Sequence, residues 1–315
     1  FENTDHYHAK TLVEEYDGYY VVQNRPNRPL TRLELDDTYE LPYERDYHPS
    51  YKAKGEHIAS INEVKFSLAS NRGCFGGCSF CTISAHQGKF IASRSKQSIM
   101  REVAQVCAME DFKGYISDLG GPSANMYKLG GNDIEKCKQC TRPSCLHPLP
   151  CPNLNNDHSL LLDIYHEVDK LPQVKKSFVG SGVRYDLSMH RSENEQINKV
   201  NRRYNEELIT NHVSGRLKVA PEHTSDSVLR LMRKPSFAQF EEFKRIFDRI
   251  NEAKGLKQQL IPYFISSHPG CTESDMAELA CKTKKLNFHL EQVQDFTPTP
   301  MTMSTEMYYT GYNPY

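Results

Sequence analysis

Seven of the ten cysteines fall into two tight groups, Cys74, Cys78 and Cys81 in CFGGCSFC, and Cys137, Cys140, Cys145 and Cys151 in CKQCTRPSCLHPLPC. The first spacing, x3 and then x2, puts three thiolates on one short loop. A four-iron cubane held by three cysteines keeps one iron open to a further ligand. Zinc is the competing reading, although a structural zinc usually takes a fourth protein ligand; coincidental thiols are the other. Gly73, Gly76 and Gly77 allow the loop to wrap tightly and turn backbone N–H groups toward cluster sulfurs. S-adenosylmethionine (SAM), chelated to an open iron through its amino and carboxylate groups, can be cleaved by one electron. The products are methionine and a 5′-deoxyadenosyl radical, which takes hydrogen from a substrate.

The second group places four thiols and three prolines in fifteen residues, a segment suited to wrapping one metal. Zinc and an iron–sulfur cluster fit four thiolates equally well by ligand type. Zinc would pin a loose insertion, and an auxiliary [4Fe–4S] cluster would relay electrons or bind substrate. The auxiliary cluster is slightly preferred, because the cell must already load one cluster here. His147 lies among the ligands as a minority substitute for a cysteine. The single cysteines, Cys107, Cys271 and Cys281, read as inert buried thiols. Clustered thiols in a long chain without an export signal point to a reducing cytosol rather than a disulfide scaffold, so a cytoplasmic location is expected.

The elements around these loops alternate. Strand-like segments are VKFSLAS (64–70), GYISDLG (114–120), SFVGSG (177–182), RLKVAPEH (216–223), QQLIPYFIS (258–266) and HLEQVQDFTP (289–298). Helix-like segments fall between them at 95–109, 159–171 (with Leu160, Leu161, Ile164, Tyr165 and Val168 on its stripe) and 193–213, then in SDSVLRLMRK, in a stretch capped by Ser236 with Gln239, and in one capped by Thr272 with Asp275. Six strands separated by helices imply parallel βαβ units. They are too few for a closed eight-stranded barrel, and suit a partial (β/α)6 TIM-like barrel or a doubly wound sheet. Either architecture gathers ligands at the C-terminal strand ends, where the cysteines and glycines fall. Residues 1–57 read as an extended arm or interdomain linker, 58–300 as the α/β core with a cysteine-rich insertion at 132–155 after strand two, and 301–315 as a C-terminal extension. The opening FENTDHYHAKTLVEEY, with no initial methionine or signal peptide, reads like the middle of a longer protein, truncated at both ends.

CFGGCSFC resembles the signature of the radical SAM superfamily. The runs NRGCFGGCSFCTISAHQGKFIASRSKQSI, DLGGPSANMY, KVAPEHTSDSVLRLMRKP and DFTPTPMTMSTEMYYTGYNP narrow the resemblance to the YgiQ-type radical SAM family, over about residues 60–315. The resemblance implies a partial barrel, a [4Fe–4S] cluster and SAM as cofactors, an external low-potential electron donor and no settled substrate. The superfamily's GGE motif, which meets the SAM amino group, corresponds to Gly120-Gly121-Pro122; proline replaces the glutamate, leaving the backbone carbonyls. The ribose region corresponds to Ser181, Gly182 and Arg184, the region after strand four to Glu222 or His223, and Phe80 to the position whose backbone contacts adenine.

Substrate contacts are expected from the HQGK loop (His86–Lys89), Arg94, Arg184 with Asp186, the PEH turn, and Tyr308, Tyr309 and Tyr312, the tyrosines being favoured as a buried structural belt. A net charge of −1 demands no polyanionic partner. The basic clusters Lys199, Arg202, Arg203 and Arg230, Arg233, Lys234 read as solvated helix faces, so nucleic acid is not indicated. No apolar run approaches the roughly 18 residues of a membrane helix. Hydrolase elbows and phosphate loops are missing from the sequence, which speaks against hydrolysis and phosphoryl transfer. Two alternatives to a general radical SAM enzyme stay open: a tRNA-modifying methylthio- or methyltransferase, and a non-enzymatic metal-stabilised interaction or electron-transfer module.

Overall fold

The computed structural model describes residues 2–288, 290 and 292–314. Near the N-terminus, β1 (Leu12–Tyr16) and β2 (Tyr19–Gln23) pair antiparallel across Asp17-Gly18. Both turn residues have positive φ, 37° and 87°, as a two-residue hairpin of this kind requires. Part of the expected extended arm is therefore a hairpin. Helix α1 (Arg32–Tyr39) opens on a Thr31–Glu34 capping box and buries Leu35 and Asp36. Its Asp36 carboxylate accepts from Ser95 N at 2.8 Å, fastening the helix to the N-cap of the helix at Lys96–Cys107.

The core then runs β3 (Ser67–Ala69), α2 (Lys96–Cys107), β4 (Tyr115–Ile116), β5 (Asp118–Gly120), α3 (Ser159–Asp169), β6 (Lys176–Ser177), α4 (Glu195–Asn211), β7 (Arg216–Glu222), α5 (Asp226–Leu231), α6 (Phe237–Lys254), β8 (Gln259–Ser266), α7 (Glu273–Lys285), β9 (Val293–Asp295) and α8 (Met303–Thr310). Every core pairing between successive strand positions is parallel: β3 with β5, β4 with β6, β7 with β8, and β8 with β9. This is a mixed α/β fold with parallel strands. Among the described residues no ladder joins β6 to β7, and no closed sheet forms.

Several strands are shorter than expected, for local reasons. Ile61–Val64 forms a helical turn, so the first strand begins only at Ser67. The third keeps only Lys176–Ser177, because Gly180 and Ser181 bend to donate to Asp118. The sixth is confined to Val293–Asp295; His289 and Glu291 of the expected strand lie outside the described residues.

The helices bury the expected stripes, Ile99, Val103 and Val106 on α2 and Leu161, Ile164, Tyr165 and Val168 on α3, although Leu160 is exposed. Phe237, Phe240, Phe243 and Phe247 give α6 its buried face, each worth about 1.5–3 kcal/mol. The Thr272–Asp275 capping box is present. Gln239 does not complete a box at α6; Asp226 instead accepts from Ser236 Oγ at 2.9 Å and Phe237 N at 3.1 Å, locking α5 to α6. No described helix is long and apolar enough to cross a membrane.

Candidate functional site

The first cysteine loop leaves the C-terminal end of β3 and is closed at its base by a two-residue antiparallel ladder, Asn71–Arg72 with Ala92–Ser93. Gly73 and Gly77 take positive φ, 92° and 57°, and a Cβ on Gly77 would lie 2.3 Å from Pro143 O. Ser79, between Cys78 and Cys81, donates through Oγ to Leu231 O at 2.6 Å and through N to Met232 O at 3.1 Å. Its carbonyl accepts from Ser304 N at 2.9 Å. The thiols are thus held between the end of α5 and the start of α8.

Beside them lies a buried cation. Arg184 donates to Asp186 through Nε (3.0 Å) and Nη2 (2.6 Å), and its Nη1 reaches Cys78 Sγ at 3.5 Å. Burial works against the Arg184 charge, but Asp186 and the Cys78 and Cys74 thiols outweigh it and hold its pKa well above the ordinary value. Gly76 is needed here, since a Cβ on it would sit 2.2 Å from Arg184 Nη1. Gly76 N also donates to Cys74 Sγ at 3.4 Å. Burial pushes Cys74 up and Cys81 to about 11, so these two thiols are neutral at pH 7 when metal-free. Coordination reverses that, because a metal-bound thiol gives up its proton.

The second loop repeats the device, with Gly130–Gly131 antiparallel to Leu154–Asn155 at its base. It packs directly on the first. Cys145 N donates to Phe75 O at 3.0 Å and Ser144 Oγ to Gly76 O at 2.7 Å. Cys74, Cys145 and Cys151 pack on one small core of Phe75, Met126, Leu129, Leu154 and Leu187. Asn153 Nδ2 donates to Cys137 Sγ at 3.3 Å, while Lys89 Nζ donates to Cys140 O at 3.0 Å and pairs with Asp5. Burial raises Cys145 to about 11. No three of the seven grouped sulfurs lie within 4.8 Å of one another.

Gly120, Gly121 and Ser181 converge on a residue that the sequence reading passed over, Asp118. Its Oδ1 accepts from Gly180 N (2.8 Å), Ser181 N (3.2 Å) and Ser181 Oγ (3.1 Å), and Ser181 Oγ accepts from Gly121 N at 3.4 Å. A Cβ on Gly120 would lie 2.1 Å from Ser181 Oγ. Burial pushes the Asp118 carboxyl up. Gly182 O accepts from Ala124 N at 3.1 Å, next to the Gly120–Gly121 turn. Glu222, at the end of β7 with φ of 71°, is buried, and its carboxyl is pushed up by that burial against the pull of Lys234 and Arg184. Phe80 packs on the main core and meets His268 edge-on.

The chain matches the family described as Radical SAM N-terminal over residues 1–67. It is 63% identical to a UPF0313 protein of Bacteroides thetaiotaomicron over 314 residues, which is 100% of this chain and 50% of that protein. A UPF0313 protein of Methanocella arvoryzae is 49% identical over 315 residues, again 100% of this chain and 50% of the relative. The chain belongs to the UPF0313 family of radical SAM proteins. It spans about half the length of the curated UPF0313 relatives it matches. Among solved structures, that of OxsB, a cobalamin-dependent SAM radical enzyme, is similar with a TM-score of 0.51 at 14% identity, over 95% of this chain and 35% of OxsB. That likeness shows a shared fold.

A cavity of about 790 Å³ opens against Cys78 and Cys81 of this UPF0313 chain, walled by the HQGK loop, the second cysteine loop and the N-terminal segment around Asp5 and His6. Arg28, Arg72, Lys89, Arg142 and Arg233 line it, and Asp5 is the one carboxylate among the described lining residues. Phe80, Gly120, Gly121, Ser181, Gly182 and Glu222 do not line it; Gly120 and Glu222 close strands β5 and β7. His147 lines a second cavity, of about 850 Å³, with Asp186 and Lys234.

Other expectations are corrected. Arg94 is fully buried, paired with Glu102 and donating to Ala69 O, so it braces β3 instead of meeting substrate. Tyr308, Tyr309 and Tyr312 are exposed rather than a buried belt, because α8 buries Met303, Ser304 and Met307. Arg233 and Lys234 are not on a solvated face: Arg233 is buried against Met303, and Lys234 turns inward to Glu222. Cys281 is exposed, and Cys107 and Cys271 are half-buried.

His268, buried between Phe80 and Phe296, has ring nitrogens 2.9 Å from Pro269 O and 2.7 Å from Ser304 Oγ. Burial lowers its pKa to about 4. The folded form therefore binds this proton less readily than the unfolded form. Its contribution is present above the unfolded value near 6.5 and is lost as pH falls toward 4, about 3 kcal/mol in all. Urea unfolding at pH 7 and pH 5 should show about 2 kcal/mol of that loss in the wild type and a smaller loss in His268→Gln; equal losses would refute the assignment.

Proposed function

We propose that this chain is the core of a radical SAM enzyme, with Cys74, Cys78 and Cys81 holding a [4Fe–4S] cluster. The observation that carries the reading is a three-thiol loop at the C-terminal end of a parallel strand, beside a buried arginine that donates to Cys78. The residues fit such a group. Three cysteines can hold a cubane and leave one iron open, whereas a structural zinc usually takes a fourth protein ligand. A bound cluster would supply the electron that cleaves SAM to methionine and a 5′-deoxyadenosyl radical, which takes hydrogen from the substrate. Arg184 balances thiolate charge and Gly76 N–H donates to Cys74.

We assign the SAM contacts to the backbone of Phe80, Gly120 and Gly121, to Ser181 and Gly182, and to Glu222. The core, 58–300, reads as a partial (β/α)6 barrel, with residues 1–57 as an arm, 132–155 as an insertion and 301–315 as an extension. The parallel pairings β3–β5, β4–β6 and β7–β8–β9 support that reading. The second cysteine group reads as an auxiliary [4Fe–4S] cluster, because the cell must already load one cluster in this chain and four thiolates suit it. The cations lining the cavity favour an anionic group on the substrate.

Anaerobic reconstitution tests this. About eight irons and eight sulfides per chain are expected, since each cubane holds four of each, with 5′-deoxyadenosine formed from SAM and a low-potential reductant. About four irons with zinc would replace the auxiliary cluster by a structural metal. Absence of 5′-deoxyadenosine from cluster-loaded protein would overturn the enzymatic reading.

A further inference from the structure

At the opposite ends of the strands from the cysteine loops, Asp169 closes α3, and Glu207 and His212 lie at the end of α4. The His212 side chain is 1% exposed, and its Nε2 stands 3.6 Å from Glu207 Oε1 and 3.9 Å from Asp169 Oδ2. Its Nδ1 lies 2.9 Å from Ser177 O. A carbonyl can only accept, so Nδ1 carries a proton and donates it. Nε2 is left buried, aimed between two carboxylates, with no hydrogen-bond partner. Both carboxylates are held in place, Asp169 Oδ1 by Ser177 Oγ at 2.7 Å and Glu207 Oε1 by Asn211 Nδ2 at 2.9 Å. His166 Nε2 is 3.9 Å from the same Glu207 oxygen.

Two occupants could reconcile these groups, a proton or a cation. A charged N–H···O pair closes to about 2.7–2.9 Å, and both spans here are longer. An ion with ligands at about 2.0–2.2 Å sets neighbouring ligand atoms about 3.4 Å apart in a tetrahedral site. An imidazole that donates its other N–H to a backbone carbonyl is also the usual posture of a metal-binding histidine. We propose that Asp169, Glu207 and His212 bind one first-row divalent cation of the zinc or manganese class. The ion clamps the ends of α3 and α4 to the start of β6, far from the cysteine chemistry, and its role is stability.

The test titrates anaerobically cluster-loaded protein with Mn2+, which thiols bind poorly, and reads the EPR signal of free Mn2+. The wild type is expected to bind one ion per chain beyond any background, with a rise in thermal midpoint. Glu207→Gln should lose at least about tenfold in affinity and show no such rise, while forming 5′-deoxyadenosine as the wild type does. If Glu207→Gln fails to fold, Asp169→Asn carries the same expectation. Equal Mn2+ binding by wild type and variant, or none by either, would leave a buried imidazole–carboxylate cluster and overturn the proposal.

Discussion

Cys78→Ala is expected to lower 5′-deoxyadenosine formation to below about a thousandth of the wild-type rate, a barrier higher by about 4 kcal/mol or more. Iron and sulfide should each fall by about four per chain, while the second group keeps its own metal. Cys78 is the sensitive choice, because its sulfur is the one that Arg184 reaches, at 3.5 Å. With alanine there, two thiols on one loop cannot hold a cubane against solvent. Loss of metal from both groups would trace to the packing of the loops on each other, through Cys145 N to Phe75 O. Cys140→Ala separates the two cases, since it should remove only the second metal. Cys107→Ala, on half-buried α2 sequence, should change neither count. A Cys78→Ala protein with full iron and full activity would end the assignment of the first loop.

What the sequence disclosed was local. The x3-x2 cysteine spacing, the turn glycines and the helical stripes are determined within a few residues, and Gly73 and Gly77 take the positive φ expected of a tight wrap. Tertiary pairings were harder to read. Arg184 and Asp186 looked like substrate contacts because nothing in the sequence shows that they are spent on each other. Asp118 carries no signal of its own in the strand sequence, and only the bend at Gly180–Ser181 brings three donors onto it. The tyrosines of α8 were misplaced because their stripe is weak, and Met303 and Met307 take the buried side. The metal-like cluster at His212 joins residues from two helix ends that sequence separates by more than a helix length.

The closeness of the two cysteine loops was also illegible from spacing. Each is closed by its own two-residue ladder, and Gly77 lacks a side chain because Pro143 and Ser144 of the other loop lie against it. Any metal in the second loop therefore bears on the geometry of the first. This is why the insertion after strand two reads as part of the site rather than as decoration on it.

Arg184→Met should be the most damaging change outside the cysteines. It leaves Asp186 buried without its partner, and breaking a buried pair from one side costs about 3–5 kcal/mol. Burial favours the neutral acid at Asp186, and at present Arg184 outweighs it and holds the carboxyl below its usual range. Without the guanidinium that order reverses. Arg184→Met with Asp186→Asn should recover most of the lost stability, because no charge is then stranded. Denaturant midpoints of the cluster-free proteins measure both terms. The cluster-loaded variants read a different consequence. A cation beside Cys78 favours the more negative, reduced state, so its loss should lower the one-electron potential, about 59 mV for each 1.4 kcal/mol of stabilisation removed. The double variant should regain stability but not potential, since the donor to Cys78 is still missing. If Arg184→Met unfolds at the wild-type midpoint, the pair is not what holds this side of the site; if the double variant regains the potential as well, the arginine acts only through Asp186.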